Sequence, residues 1–150
     1  MDDIGPQLGV LLSTAYAMLL GGVVGFEREL KDRPAGFRTH MLVAGSAALL
    51  VGLGDLIANH FAREHADQLL RMDPIRLIEA VVTAVGFLGA GAIFRRAGGN
   101  SVAGLTTAAS LLMVAAIGIA AGLHAHVLAI GATLLTLVVL TVLSWVERRA

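Results

Sequence analysis

The sequence predicts an all-α polytopic membrane protein of five transmembrane helices, and three observations lead there. Hydrophobic residues make up 57% of the 150 positions and charged residues 15%, more apolar surface than a water-soluble domain of this length can cover. The apolar residues gather into five runs that match the requirement of a hydrocarbon core, about 30 Å thick and crossed by about 20 residues of helix. Lys and Arg fall between the runs with a strong bias to one side.

The runs cover roughly residues 8–26, 41–57, 77–94, 102–123 and 125–146, and residues 1–150 read as one transmembrane domain. The first carries no charge. Met1-Asp2-Asp3 lacks the positive region of a cleavable signal, so this run is expected to remain as an anchor. The second has Asp55 near its end, and the third has Glu79 in its first turn. Only His124-Ala125-His126 separates the fourth and fifth, which predicts a tight antiparallel hairpin rather than one long crossing. No strand is expected. Segment 58–76 is too polar to span; Phe61, His65, Leu69 and Met72 recur at helical spacing, so it reads either as an amphipathic surface helix or as a solvated loop.

Orientation follows from the basic residues. Arg28, Lys31, Arg33 and Arg38 lie between helices one and two, Arg95 and Arg96 between three and four, and Arg148 and Arg149 after five. Five crossings place these eight of the eleven Lys and Arg on one side, with Arg63, Arg71 and Arg76 opposite. The expectation is N-terminus out and C-terminus in. Net charge is zero, which gives no reason to expect nucleic acid, and the absence of cysteine removes disulfides and thiolate chemistry. Ala35-Gly36-Phe37-Arg38-Thr39 is echoed by Ala103-Gly104-Leu105-Thr106-Thr107, a match that reads as a parallel duplication or as chance among small residues.

The candidate working surface is the charged hairpin from Glu27 to His40, with Glu27, Arg28, Arg33, Pro34, Gly36, Arg38 and Thr39 as its principal residues. If helix one continues inward, Glu27 can pair with Lys31 and Arg28 with Asp32 at i,i+4. Pro34 and Gly36 then force a turn, and Thr39 is placed to cap helix two. The hairpin reads as a docking face or ion vestibule, or as a simple orientation anchor. Gly21 and Gly25, and Gly118 and Gly122, form small-xxx-small faces that suit packing within the chain or a homodimer. Gly86, Gly89 and Gly91 thin helix three, which suits the centre of a bundle or a place where something else approaches its backbone. Glu79, Thr83, Gly86 and Ala90 share one face of it.

Asp55 and Glu79 are the acids nearest the membrane, and Arg76 lies within ion-pair reach of Glu79. With Asp73 they offer magnesium an oxygen-lined outer mouth, though nothing in their spacing demands one. No cofactor is expected, and no enzyme. Ser46, Ser101 and Ser110 have no base nearby in sequence, and His124 and His126 share no helix face, so they read as interface residues rather than a metal site.

These stretches resemble the MgtC/SapB family of bacterial inner-membrane proteins. The resemblance is carried by Gly25 to Glu29, Arg33-Pro34-Ala35-Gly36-Phe37-Arg38-Thr39-His40, Asp73-Pro74 with Arg76, Gly86-Phe87-Leu88-Gly89-Ala90-Gly91, Gly104-Leu105-Thr106-Thr107-Ala108-Ala109 and Ala116-Ile117-Gly118. It implies a five-helix domain linked to magnesium homeostasis and to virulence or low-magnesium adaptation. Relatives are described as acting on other membrane proteins, including an ATP synthase. Carried over by position, the characteristic residues include Glu27, Arg28, Arg33, Gly36, Arg38, Thr39, Gly86, Gly89, Gly91, Gly104, Thr106 and Thr107. The sequence departs from the family at Ala103, Ala80, Ala84 and Glu79, and it ends before the soluble domain that many members carry.

Two functions compete. One is a regulatory or accessory protein that docks membrane proteins, an ATPase for example, through the hairpin, and loses capture on charge reversal at Arg33 and Arg38. The other is a magnesium or proton transporter or channel, whose flux would fall on Glu79→Ala or Glu27→Ala. A purely structural scaffold is a third.

Overall fold

The computed structural model describes residues 4–64, 73–95 and 102–143. Five helices follow in order: α1 (Ile4–Leu30), α2 (Phe37–Glu64), α3 (Pro74–Ala92), α4 (Leu105–Gly122) and α5 (His126–Val138). The last runs into a π-helical turn, Val139–Leu143. Four helices are long and apolar enough to cross a membrane; α5 with its π turn forms a shorter apolar run, His126–Val142. This is a multi-pass helical membrane protein.

The helices overrun their expected ends. α1 continues from the apolar run through the charged residues to Leu30, and α2 passes residue 57 to reach Glu64. The start of segment 58–76 is thus part of α2 and its end opens α3, while residues 65–72, with His65, Leu69 and Met72, lie outside the described residues, and with them the choice between surface helix and loop. α3 opens on a conventional cap: Asp73 Oδ1 accepts the Ile75 N–H at 3.0 Å, with Pro74 at the first helical position.

One local expectation fails. Residues 94 and 102–103 fall within the expected helical runs, yet β1 (Phe94–Arg95) pairs antiparallel with β2 (Val102–Ala103) in a short ribbon. The reason sits at Gly104, whose φ of +92° no L side chain adopts readily. An added Cβ there would lie 1.9 Å from the Ala92 carbonyl oxygen. The backbone reverses at Gly104, so α4 starts at Leu105, the position in the internal echo where α2 starts at Phe37.

The core is the α1–α2–α4 trio. It is built from small residues, with Ala17, Val24, Ala44, Ala48, Val114, Ile117 and Ala121 buried. Lipid gives helices little hydrophobic reason to associate, so close backbone packing has to hold them. A Cβ on Gly118 would come within 2.2 Å of the Ala44 oxygen, and one on Gly21 within 2.6 Å of the His40 oxygen. Gly25 and Gly122 meet α2 in the same way. Contact levels fix the directions: Gly52 faces Val10 while Gly25 faces Phe37, so α1 and α2 are antiparallel. Gly118 and Gly122 face Ala44 and Ala48, so α2 and α4 run parallel.

α3 is peripheral, so of the two readings of its glycines the centre of the bundle is not the one found. Val81, Val85 and Gly89 face inward, and Gly89 rests on Ala108 of α4. Gly86 and Gly91 face open space, and Phe87 is 81% exposed. Large apolar side chains cover the outside of the bundle, Val127 among them at 89% exposure. That inversion of the water-soluble pattern fits lipid as the surrounding medium.

Candidate functional site

The hairpin that stands out in sequence divides in space into a buried half and an exposed half. Glu27 and Arg28 belong to the last turns of α1, where Gly25 lets α2 come close. Both are buried, with relative exposures of 8% and 3%. His40, four residues into α2, is fully buried. Asp32, Arg33, Pro34, Arg38 and Thr39 are exposed, and Gly36 is half-buried.

Arg28 Nη2 donates to Thr107 Oγ1 of α4 at 3.1 Å. The expected Arg28–Asp32 pair gives way because Asp32 has left the helix at φ 50°. Glu27 and Lys31 do form their i,i+4 ion pair, and Lys31 Nζ also donates to the Leu140 carbonyl at 2.7 Å. Apart from that ion pair, the Glu27 carboxylate has no hydrogen-bond partner among the described residues, and neither has Arg28 Nε; both are buried. Ionised groups inside a membrane bundle are costly to keep and mark working sites by default.

α2 and α4 complete the cluster. His40 Nδ1 lies 2.9 Å from the Gly36 carbonyl oxygen, and its Nε2 lies 3.0 Å from Ser110 Oγ. Ser110 Oγ donates to the Thr107 carbonyl at 2.8 Å. Ser110 thus has a base beside it, contrary to the reading from sequence, because parallel packing brings residues 70 positions apart to one level. A carbonyl can only accept, so the Nδ1 contact calls for a proton on Nδ1. Ser110 then satisfies Nε2 by giving it the hydroxyl proton, or Thr107 by keeping the bond to its carbonyl. The chain Arg28–Thr107–Ser110–His40 ties three helices together through polar groups.

Sequence reasoning missed a further part. The N–H of Phe37 that opens α2 is taken by Glu29 Oε2 at 2.7 Å, so Glu29 from α1 caps α2 and Thr39 does not. A Cβ on Gly36 would stand 2.7 Å from that same oxygen, so a larger residue there would have to shift the Glu29 carboxylate. The signal available was the third acid of the hairpin, Glu29, which neither the Glu27–Lys31 nor the Arg28–Asp32 pairing uses.

The other predicted residues spread out. Thr106 is exposed beside buried Thr107, and Gly104 serves the ribbon. Asp55, Asp73 and Glu79 are exposed, and no cluster of three His, Asp or Glu suited to a metal occurs among the described residues. The buried cluster is itself a poor seat for a divalent cation, with Arg28 and Lys31 against the one carboxylate of Glu27. At the opposite end, His124 Nδ1 lies 3.3 Å from Ser13 Oγ, and Tyr16 meets the His126 ring edge-on at 5.2 Å.

The model of the MgtC family matches residues 14–149. Protein SapB of Bacillus subtilis (strain 168) is 36% identical over 140 residues, 93% of this chain and 59% of the relative. Protein MgtC of Brucella abortus (strain 2308) is 42% identical over 114 residues, 75% of this chain and 42% of the relative. A protein of Escherichia coli (strain K12) named "Putative magnesium transporter YhiD" is 38% identical over 133 residues, 88% of this chain and 59% of the relative. The chain therefore spans only about half the length of these curated relatives. No solved structure matches it.

Proposed function

This chain belongs to the MgtC family, and from that premise we propose that it is a magnesium-linked regulatory protein of the bacterial inner membrane, docking other membrane proteins through the α1–α2 turn on the cytoplasmic side. The link to magnesium comes from the name of the Escherichia coli relative. The observation that carries the docking role is the division of the hairpin. Glu27, Arg28 and His40 anchor it from within, while Asp32, Arg33 and Pro34 stand exposed on the turn. A partner meets a fixed arrangement of charge, which favours specificity over raw affinity.

Close packing favours regulation over transport. At Gly118 and Ala44 the helices touch backbone to backbone, which leaves no room along the α1–α2–α4 axis for a hydrated ion. The rival transporter reading draws on the buried Glu27 carboxylate and on the same relative's name.

Purified protein in liposomes separates the two. The regulatory reading expects no magnesium or proton flux above protein-free vesicles. It further expects Arg33→Glu to abolish growth support at low magnesium while helicity and elution volume stay unchanged. Flux that disappears with Glu27→Gln would replace regulation with transport.

A further inference from the structure

A groove of about 390 Å³ runs between α2 and α3. The two helices touch at its far end, where Leu77 reaches Gly54, whereas toward the basic end α3 leans on α4 through Gly89 and Ala108. The buried residues Val81 and Val85 line its floor, and the exposed residues Leu42, Leu50 and Leu88 line its walls. Arg38 and Thr39, both exposed, stand at its basic end. The rest of the lining is apolar apart from Ser46.

We propose that this groove binds one acyl chain of an anionic phospholipid, with the headgroup phosphate on Arg38. Length supports the assignment: twelve residues of α2 from Arg38 to Leu50 rise about 18 Å, close to one leaflet of a hydrocarbon core about 30 Å thick. Charge supports it too. A guanidinium at the mouth of an apolar slot between transmembrane helices matches a phosphate joined to a hydrocarbon chain. Arg38 reaches the headgroup level from the first turn of α2, as basic side chains near helix ends do. The groove lined by His124, Leu128 and Leu135 at the other end has no Arg or Lys among the described residues that line it and serves as the contrast. This assignment gives Arg38 a role separate from that of Arg33 on the turn.

The test places a fluorophore in the groove. Leu88→Trp is made in a Trp145→Phe background, with Leu42→Trp as the alternative from the opposite wall should the first variant not fold. Each is reconstituted with phosphatidylglycerol or phosphatidylcholine carrying brominated chains. Brominated phosphatidylglycerol is expected to compete for the groove about fivefold more effectively, the selectivity of one basic residue at a membrane surface. Arg38→Gln should bring the two lipids level, and Leu128→Trp should report no preference. The assignment falls if the two lipids quench equally with Arg38 intact. It also falls if neither quenches, the outcome expected when a helix of a second copy or of another protein fills the groove.

Discussion

The α1–α2 turn and the α4–α5 turn close their helices with the same backbone device and put it to different use. Each ends in a Schellman motif. In the first, Arg33 N–H bonds to the Arg28 carbonyl and Asp32 N–H to that of Glu29; in the second, Ala125 N–H bonds to Ala120 and His124 N–H to Ala121. Each motif sets a non-glycine residue in the left-handed region, Asp32 at φ 50° and His124 at φ 58°. Beneath the first turn, Arg28, Glu29 and Lys31 reach into or across α4, α2 and the π turn. Beneath the second, the neighbours are a serine and aromatic edges. A helix cap is local and interchangeable. What distinguishes one end from the other is the charge that the cap holds inside.

The largest effect should come from breaking the seam that sets the level of both turns. Gly118→Ala places a methyl against the Ala44 backbone and should cost about 3 kcal/mol or more, read as loss of a monodisperse peak and a lower Tm. Gly131→Ala, on α5 in open space, should leave both unchanged.

Next comes the buried charge. Arg28→Ala should destabilise by about 3 kcal/mol, since Glu27 is left with one cation instead of two. Arg28→Met fills the same volume but leaves Glu27 equally short of a cation, so it should recover only the packing part of that loss and should not restore growth at low magnesium. If Arg28→Met behaves as the wild type in the growth assay, Arg28 only supports the fold. The counterpart at the other turn, Ser13→Ala, should cost about 1 kcal/mol or less in thermal unfolding.

Smaller effects sharpen the likeness of the two caps. Glu29→Ala removes the remote cap of α2 and should cost about 1 kcal/mol. Asp32→Gly relieves a left-handed side chain and should stabilise by up to about 1 kcal/mol. His124→Gly relieves the same strain but loses the Ser13 hydrogen bond, so its net gain should be smaller; an equal gain at both would show that the Ser13 contact contributes nothing.

Much of this was legible beforehand. Hydropathy announced the five helices, because apolar length is a local property. The glycine pairs on α1 and α4 announced close contacts, and Glu27 with Lys31 announced an ion pair, because both follow from helical spacing. The ribbon at Phe94 and Val102 was not legible, since Gly104 reads as any helix-flanking glycine until its φ is known. The Ser110–His40 contact was hidden for another reason. It requires α2 and α4 to run parallel at one level, and no spacing within either helix encodes that. The place of α3 stayed open between the bundle centre and its edge, because glycine permits close approach without supplying a partner.

The amino-acid order alone determined that this chain lives in lipid, how often it turns and where its charge is dense, for these depend on side chains within one helix length of each other. Tertiary structure decided which charges of the hairpin go inside and which stay out. That choice rests on Gly21, Gly25 and Gly118 drawing three backbones together, so that Arg28 finds Thr107 across the bundle while Arg33 finds no room within it.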